Sequence, residues 1–408
     1  MATHPAWNQH TTATQVAGTF SSRIKDRTIL IIGVSPNSLG ASMAAALAAH
    51  SPALLILASR TASNLAAVAA ELPPTCRVAT IPVDLSKYAS VREAAAQITA
   101  LTTTNGIDII INNAAIVHPS HILTTPHRHE LQFATTFLGP FLLTNLLLPQ
   151  LLTAAATAPN AGSTRIINIT SDGHRLSPIR FSDPHFTRPL ADLPADERPA
   201  ASVPAVFLPK KPKTEEDGHT QQQQHQQEQD SSDPPTTPEA EPTYAPFLAY
   251  GQSKTANVLF SVAINAMLNR HGIAAFAVHP GSIWTELSRN LDEEMQRVIR
   301  TTGGYWKTLD EGGATGLVAA LDPGAVGGEG GTVGVEGVYW SDCQVEAGKA
   351  AGHAVDEGVA ERLWALGERE VGQGFDVEEM VRRVHGEGVV PEGKATEAVK
   401  VRTREVSL

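Results

Sequence analysis

The chain has 408 residues, a formal net charge of −11 and a hydrophobic content of 42%. This length and composition are typical of a globular protein and exclude a wholly disordered chain. The acidic balance, without a basic stripe, argues against nucleic acid as a partner, and the 2 cysteines, Cys76 and Cys343, are too few for a disulfide framework.

The N-terminal stretch 1–20 lacks the apolar core of a signal peptide, and no window has the long uncharged apolar run of a transmembrane helix. The nearest candidate, 137–152, contains prolines and is predicted to be a buried helix. No Cys/His cluster has the spacing of a zinc site. The sequence therefore predicts a cytoplasmic protein with no membrane span and no bound metal.

In chain order, apolar runs alternate with helix-forming segments, and such runs suit strands that are buried on both faces. The predicted strands are 28–33, 53–60, 76–85, 106–115, 164–171, 273–281 and 337–342, and the predicted helices are 41–50, 62–72, 86–101 with Ser86 as its N-cap, 127–152 and 250–270. This alternation predicts an α/β fold with a doubly wound parallel sheet of the Rossmann type, in a single domain.

Composition divides the chain further. The domain is predicted to consist of residues 25–191 and 244–372. An N-terminal extension over 1–24 precedes it, and a loose C-terminal tail over 373–408 follows it. Within the domain, a flexible glycine-rich loop is predicted over 323–337. The proline- and glutamine-rich stretch 192–243 is predicted to be a disordered surface insertion, because it can bury little apolar surface. A partner-binding tail is the alternative function of this stretch. Within the stretch, residues 203–209 are apolar enough to dock locally on the domain.

The first predicted strand leads directly into "GVSPNSLGAS" at 33–42. A strand, a turn with Gly33 and Gly40, and a helix are the usual place for a nucleotide phosphate, which the backbone N–H groups and the helix dipole attract. The spacing differs from the G-x-G-x-x-G pattern. Because a strand-to-helix turn can need glycine for its geometry alone, nucleotide binding and a plain turn both remain open.

The second predicted strand ends in "LASRT", which contains Arg60 and no acid. NAD-specific folds usually place an acid here for the ribose 2′-hydroxyl, whereas an arginine suits the 2′-phosphate of NADP. A solvent-facing arginine is the alternative. The missing acid nevertheless favours NADP as the cofactor.

Residues 249–254 read "AYGQSK" and place Tyr250 and Lys254 one helical turn apart, on the same face of a helix. An ammonium beside a phenol lowers the tyrosine pKa from its usual value of about 10. The tyrosine could then exchange protons near neutral pH. Taken alone, the pattern also arises by chance.

Several motifs occur together and in order: "GVSPNSLG" at 33–40, "VDLS" at 83–86, "NNAA" at 112–115, Ser171 in "NITSDGH", "YGQSK", and "HPGSIWTEL" at 279–287. In this set the chain resembles the short-chain dehydrogenase/reductase family, in the retinol-dehydrogenase or WW-domain-oxidoreductase-like branch, and among these the fungal members. The resemblance covers about residues 20–370 outside the insertion. It implies a Rossmann fold and an NADP(H)-dependent enzyme that interconverts an alcohol and a carbonyl on a small, apolar substrate.

The resemblance also implies catalytic roles. Ser171 would hydrogen-bond the substrate oxygen, Tyr250 would give or take the hydroxyl proton, and Lys254 would bind the nicotinamide ribose and lower the Tyr250 pKa. The residues implied to bind the cofactor are Gly33, Ser35, Ser38, Leu39, Gly40, Arg60, Asp84, Leu85, Asn112, Ala114, Tyr250, Lys254, Pro280, Gly281, Ile283 and Thr285.

Some of these roles are more specific. Asp84 would contact the adenine, although capping a helix beside Ser86 is the alternative, and Asn112 and Ala114 would line the adenosine ribose. The Ile283 backbone would meet the carboxamide and Thr285 the phosphates. Of the two nearby histidines, His279 is predicted to be structural, whereas His174 is either a pocket-lining or a plain loop residue.

The chain departs from the family pattern at its fourth catalytic position. Thr136 stands where the family has an asparagine whose main-chain carbonyl holds a water in the proton relay. A threonine preserves that carbonyl. Three further departures are Ile32 for threonine, Ser38 for glycine, and Ala115 for the glycine of N-N-A-G.

These departures leave two alternatives open. One is a catalytically weak or inactive NADP(H)-binding interaction protein, and the other is an epimerase or dehydratase, which shares the Tyr-Lys pair. Family members often assemble as homodimers or homotetramers, and the sequence does not decide the oligomeric state.

Overall fold

The computed structural model describes residues 2–124, 126–158, 162–209, 243–288, 291–327 and 332–385. Its strands are β1 (Thr28–Ile32), β2 (Leu54–Ser59), β3 (Val78–Pro82), β4 (Ile109–Asn112), β5 (Thr164–Ile169), β6 (Ile273–His279), β7 (Ser282–Ile283), β8 (Trp306–Lys307), β9 (Tyr339–Ser341) and β10 (Gln344–Val345). Eight of them form one sheet in the order β10-β9-β6-β5-β4-β1-β2-β3, while β7 and β8 form a small sheet of their own.

The main helices are α1 (Ala13–Thr19), α2 (Leu39–Ala48), α3 (Ala62–Glu71), α4 (Tyr88–Leu101), α5 (Leu131–Phe133), α6 (Gly139–Leu146), α7 (Leu148–Thr157), α8 (Pro246–Leu268), α9 (Glu293–Thr302), α10 (Leu309–Leu321), α11 (Glu357–Val371) and α12 (Val377–His385). A π-helical turn, Ala134–Leu138, joins α5 to α6. The strand pairs of the large sheet are parallel except β9–β10. The predicted doubly wound parallel sheet is therefore confirmed.

The sheet core follows from the apolar runs. Every residue of β1 is buried, as are most residues of β2, β4, β5 and β6, because helices cover both faces of a parallel sheet. Helices α2 and α10 pack with α1 in one layer, and α4, α6 and α8 lie in the other with α11. The N-cap position of helix α4 is shifted by one residue from the prediction, since Lys87 rather than Ser86 occupies it.

The order of the strands in the sheet predicts where a ligand-binding cleft lies. The chain proceeds from β1 to β2 and β3 on one side, then crosses to β4 on the other side of β1. Ligands of open α/β sheets bind at such a reversal, outside the carboxyl ends of the strands. Gly33 follows β1 there, and the Asn113 N–H donates to the Ile32 carbonyl at 2.9 Å, which aligns the two strand ends.

The predicted N-terminal extension packs onto the domain. Helix α1 buries Ala13, Val16 and Ala17 and contacts α10, where Gly313 leaves room for Ala13. Near the start of the chain, the Thr3 hydroxyl donates to Asp322 Oδ1 at 2.9 Å. Residues 2–24 thus contribute to the core, although their sequence carries no strong helical periodicity.

Residues 192–209, which the sequence analysis placed in a disordered insertion, lie on the domain as short 3₁₀ helices over Ala195–Glu197 and Ala205–Phe207. Leu193 and Glu197 are buried there. The order over 192–202 differs from the expectation, whereas 203–209 packs its apolar side chains against α8, in line with the local docking expected of it. The rest of the predicted insertion, 210–242, lies outside the described residues.

Two other expectations concern loops. The C-terminal tail was predicted to be loose, but within 373–385 Phe375 and Val377 are buried and α12 contacts α7. The rest of the tail, 386–408, lies outside the described residues. The glycine-rich loop contains the 3₁₀ turns Pro323–Ala325 and Val335–Gly337, and its segment 328–331 is likewise not described.

No single helix in the described residues is both long and apolar enough to cross a membrane. One helix pair, Leu131–Leu146 and Leu148–Thr157, meets the criterion together by length and composition but is bent by 55°. In the fold, most of α6 is buried, and α7 buries Leu148, Leu151, Leu152 and Ala154, so that 137–152 lies largely in the core as predicted.

A hydrogen-bonded clasp ties α11 to distant loops. Glu370 Oε2 lies 3.1 Å from Nε2 of both His129 and His185. His129 Nδ1 lies 2.7 Å from the Tyr88 hydroxyl oxygen. His185 Nδ1 accepts the Glu130 N–H at 3.1 Å. The clasp joins four separate stretches of the chain in one buried network.

The spacing of these three side chains would also admit a metal ion, since their ligand atoms lie within 4.8 Å of one another. A metal-bound histidine normally donates its second nitrogen to an acceptor. At His185 that nitrogen instead accepts the Glu130 N–H, so the proton sits on the nitrogen that faces Glu370. The contacts therefore favour a hydrogen-bonded clasp over a metal centre.

Candidate active site

A cleft of about 660 Å³ opens at the carboxyl ends of β1, β4 and β5. Most of the residues proposed from the sequence line it: Gly33, Ser35, Ser38, Leu39, Arg60, Asp84, Leu85, Ala114, Ser171, Tyr250, Lys254, Pro280, Gly281, Ile283 and Thr285. Gly40, Asn112 and Thr136 do not line it. Segments that are far apart in the sequence therefore meet at one surface.

The turn after β1 requires its glycines. Gly33 has a φ of +97°, and a Cβ there would lie 2.5 Å from the Ala114 backbone. A Cβ on Gly40 would lie 2.4 Å from the Gly33 carbonyl oxygen. These close approaches hold the first turn of α2 against the strand ends, where its free N–H groups can attract an anion.

Ser38 stabilises the same turn. Its hydroxyl accepts the N–H groups of Ser35 and Ala41, each at 3.2 Å, and donates to the Ser35 carbonyl at 2.6 Å. Its φ of −116° is an ordinary extended value. A serine therefore fits this position, and the departure from the family glycine costs no backbone strain.

Asn112 and Asn113 point in different directions because successive side chains alternate along a strand. The Asn112 amide is buried and donates to Asn168 Oδ1 at 2.8 Å. Asn113 lines the cleft and donates to the Gly33 carbonyl at 2.7 Å. The sequence analysis chose Asn112; in the structure its neighbour is the cleft residue, and strand alternation is the signal that could have identified it.

Arg60 follows β2 and faces the cleft, where Thr61 and Asn64 join it. Among the residues that the structure describes, the Arg60 guanidinium has no hydrogen-bond or ion-pair partner. The residues that follow β2 directly, Arg60 and Thr61, include no acid. The cationic group is thus available to an anionic ligand at this end of the cleft.

Asp84 lies on the other side of this end. Its carboxylate accepts both the backbone N–H and the hydroxyl of Ser86, and Lys87 Nζ lies 3.0 Å away. Burial alone would raise the Asp84 pKa, but these hydrogen bonds hold it below its usual value. Asp84 does not cap α4, whose N-cap position is Lys87 without a side-chain cap hydrogen bond, and Asp84 lines the cleft.

The candidate catalytic side chains converge where β5 ends. Helix α8 carries Tyr250 and Lys254 on one face, and the Lys254 Nζ donates to the Ile169 carbonyl at 2.9 Å and lies 5.4 Å from the Tyr250 ring centroid. Thr170 donates its hydroxyl to the Lys254 carbonyl at 2.8 Å. Ser171 follows directly and hydrogen-bonds Tyr250. A phenol, an ammonium and a hydroxyl therefore meet at one wall of the cleft.

Burial dominates the proton affinities of this group. It raises the pKa of Tyr250 to about 12, against the lowering effect of the Ser171 hydrogen bond. Burial also lowers the pKa of Lys254 to about 7. The sequence analysis expected Lys254 to lower the Tyr250 pKa; in the structure the ammonium is held at the Ile169 carbonyl, and Ser171 is the group that lowers it.

Comparison with known proteins agrees with this geometry. The profile of the short chain dehydrogenase family matches residues 27–182. The chain is 33% identical to oxidoreductase fscI of Fusarium equiseti over 278 residues, which cover 67% of this chain and 94% of that protein. It is 30% identical to retinol dehydrogenase 13 of Homo sapiens over 297 residues, 71% of this chain and 67% of that protein. The chain belongs to the short-chain dehydrogenase/reductase family.

A solved structure from Mycobacterium paratuberculosis has the same fold, with a TM-score of 0.53 and 25% identity over 86% of this chain and 96% of that one. The similarity to retinol dehydrogenases 12 and 13 places this family member in the retinol-dehydrogenase-like branch. It is accordingly an oxidoreductase of the type that interconverts alcohols and carbonyls with a nicotinamide cofactor.

The family's fourth catalytic position lies in the π-helical turn Ala134–Leu138. Thr136 is 1% exposed, and its hydroxyl has no hydrogen-bond partner among the described residues. Its neighbour Thr135 lines the cleft instead. The side chain of Thr136 therefore makes no contact with the cleft, and any catalytic part that it plays must run through its backbone.

Two histidines near the cleft differ in role. His174 is fully buried: its Nδ1 lies 2.7 Å from the Ser171 carbonyl, and its Nε2 accepts the Ala351 N–H at 3.0 Å. His174 therefore holds the Ser171 backbone from the protein interior and does not line the cleft, so the pocket-lining alternative for His174 is wrong. His279 lines the cleft with its Nε2 3.5 Å from Asp172 Oδ2. Burial lowers the pKa of both rings, that of His174 to about 4.

The far end of the cleft is apolar, and the sequence analysis did not identify it. It is lined by Val117, Leu176, Phe207, Phe247, Leu287, Leu291 and Ile299. These side chains come from separate segments, so no local motif marks them. The cleft thus has a polar end at Arg60 and Asp84 and an apolar end beyond Tyr250.

Proposed function

We propose that this protein is an NADP(H)-dependent oxidoreductase that interconverts an alcohol and a carbonyl on a small, apolar substrate. The observation that carries the proposal is the meeting of Ser171, Tyr250 and Lys254 at the middle of a cleft that is polar at one end and apolar at the other. The bound cofactor would supply or accept the hydride.

The chain's own groups fit a dinucleotide. Gly33 and Gly40 have no Cβ, and a Cβ at either position would collide with the neighbouring backbone of the turn. The turn can therefore pack closely and present the N–H groups at the start of α2 to a phosphate. Arg60 would bind the 2′-phosphate, since its guanidinium, at the end of β2, has no partner within the described part of the chain. Asp84 and Ala114 would flank the adenosine, Ile283 the nicotinamide carboxamide and Thr285 the phosphates; all four line the cleft.

The proposed chemistry at the substrate uses three side chains. The Ser171 hydroxyl would donate to the substrate oxygen and stabilise charge on it. Tyr250 would give its proton to that oxygen in reduction and take it back in oxidation. Lys254 would orient the ribose, and the Thr136 carbonyl would hold a water on the path that returns the proton from solvent.

Titration with NADPH and, separately, NADH, followed by reduced-nicotinamide fluorescence, tests the cofactor assignment. We expect both nucleotides to bind, and NADPH to bind at least about tenfold more tightly. One hydrogen bond between the Arg60 guanidinium and the 2′-phosphate can supply a difference in binding free energy of that size. A preference for NADH would contradict the role of Arg60 but leave the enzyme class intact. Binding without turnover of any carbonyl or alcohol would favour the NADP(H)-binding interaction protein.

Substituting Tyr250→Phe tests the catalytic assignment. Loss of the acid/base group should lower kcat by about 10²–10⁴ while the cofactor Kd changes little. Tyr305→Phe is the matched control, since Tyr305 is 38% exposed and bonds Glu311 instead. Equal turnover in both variants would exclude Tyr250 as the proton donor. A product that forms with NADP⁺ without net oxidation would identify an epimerase or dehydratase.

The cytoplasmic location and the homodimer or homotetramer remain predictions from the sequence. Size-exclusion chromatography with light scattering would determine the assembly.

A further inference from the structure

The apolar end of the cleft receives a side chain from residues 203–209, the part of the predicted insertion that the sequence marked as apolar enough to dock locally. Phe207 ends the 3₁₀ helix Ala205–Phe207 and lines the cleft. It lies in the same apolar cluster as Tyr250, Val117 and Leu291. A residue from this stretch is thus placed beside the candidate proton donor.

Two neighbours anchor the segment. Val203 and Leu208 pack into a separate apolar cluster that includes Ala245 and Leu248, at the start of α8. The Phe207 N–H donates to the Pro204 carbonyl at 3.0 Å. Anchors on both sides of a short helical turn fix the direction of the ring between them.

The ring of Phe207 packs edge-on against Phe247, with the centroids 5.3 Å apart and an interplanar angle of 79°. Such a pair is a favoured aromatic geometry. Phe247 lies in the first turn of α8, one turn before Tyr250. The pair therefore bounds the apolar end of the cleft, away from the polar end at Arg60.

We propose that Phe207 is a specificity-determining residue that limits the size of the carbon skeleton admitted to Tyr250. The proposal rests on the proposed oxidoreductase function. Because the ring faces the apolar end and not the phosphate turn, its truncation should enlarge the substrate space without altering cofactor binding. Its enlargement should have the opposite effect.

The test compares two aldehydes that differ by one bulky group, benzaldehyde and 4-tert-butylbenzaldehyde, with the preferred nicotinamide at saturation. The measured quantity is the ratio of kcat/KM for the bulky aldehyde to that for benzaldehyde. Phe207→Ala should raise this ratio about tenfold or more, and Phe207→Trp should lower it, since even one methylene in an apolar pocket is worth about 10–200-fold.

Val206→Ala is the control, because Val206 is the adjacent residue, is 38% exposed and does not line the cleft. It should leave the ratio unchanged. Circular dichroism and the NADPH Kd establish that each variant is folded, and Phe207→Leu replaces Phe207→Ala if the latter does not fold. A ratio that is the same in wild type and in the Ala, Leu and Trp variants overturns the role of Phe207 alone. A wild-type protein that reduces neither aldehyde nor any other carbonyl overturns the proposed function with it.

Discussion

Tyr250 and Lys254 share one face of α8, yet burial acts on their proton affinities in opposite senses. It disfavours the charged form of each, which raises the pKa of Tyr250 to about 12 and lowers that of Lys254 to about 7. At neutral pH the phenol is therefore protonated. The protonated phenol is the form that the proposed proton donor would need in carbonyl reduction.

The pH dependence of the two directions should therefore differ. Since the Tyr250 pKa lies near 12, its ionised fraction grows throughout the range from pH 7 to pH 9. We expect kcat/KM for alcohol oxidation to rise over this range while that for carbonyl reduction does not. Initial rates in both directions, at saturating cofactor and constant ionic strength, measure this. Oxidation that is flat or falls with pH would contradict Tyr250 as the base.

At the scale of elements, the π-helical turn between α5 and α6 is the main departure from a regular helix. The Gly139 N–H reaches back to the Ala134 carbonyl there, which widens the turn that contains Thr136. Such bulges are frequent at functional sites. Since the Thr136 hydroxyl is buried and unpaired, the backbone, not the side chain, is the part that can serve the reaction.

Thr136→Val tests this distinction by replacing the hydroxyl with a methyl group of similar shape. Loss of an unpaired buried hydroxyl should leave the free energy of unfolding unchanged or raise it by about 1 kcal/mol. We expect turnover within about twofold of wild type, because the Thr136 carbonyl is retained. Urea unfolding and steady-state kinetics measure the two quantities.

The matched control is Thr144→Val on α6. The Thr144 hydroxyl accepts the Asn112 amide at 3.3 Å, so the same substitution there should cost about 1 kcal/mol. If Thr136→Val instead lowers kcat by about tenfold or more, a difference of about 1.4 kcal/mol in the barrier, the hydroxyl itself takes part in the reaction.

At the scale of the whole molecule, the clasp around Glu370 connects α11 with α4 and with the loops after β4 and β5. Burial alone would raise the pKa of Glu370, but hydrogen bonds from His129 and His185 hold it well below its usual range. A carboxyl whose pKa is lowered by folding stabilises the native state above its unfolded pKa of about 4.3. That contribution is lost as the pH falls through this value toward the folded pKa.

Glu370→Gln should accordingly lower the free energy of unfolding at pH 7 by about 1.5–3 kcal/mol, the range for hydrogen bonds to charged groups. The difference from wild type should narrow below pH about 5, where the unfolded carboxyl begins to take up protons. Urea unfolding at pH 7, 5 and 4 measures it. Glu361→Gln, at an exposed position of the same helix, should change stability by less than about 0.5 kcal/mol. Equal effects of the two substitutions at pH 7 would contradict the clasp.

Much of the fold was predictable because its signals are local. The seven predicted strands match β1 to β6 and β9, since buried parallel strands need continuous apolar runs. The glycine turn and the Tyr-Lys pair were likewise visible as short motifs. The helices α9 to α11 were not predicted. Helices α10 and α11 bury side chains against surfaces that other parts of the chain provide, whereas α9 buries none of its residues.

The sequence by itself determined the sheet, the glycine turn at 33–40, and the presence of Ser171, Tyr250 and Lys254, since periodicity and spacing act over a few residues. Only the tertiary structure decided that Asn113 rather than Asn112 faces the cleft, that Phe207 enters it, and that α1 belongs to the core. It also decided the proton affinity of Tyr250. The physical reason is the same in each case: burial and electrostatics are sums over neighbours from remote segments, which no local pattern encodes.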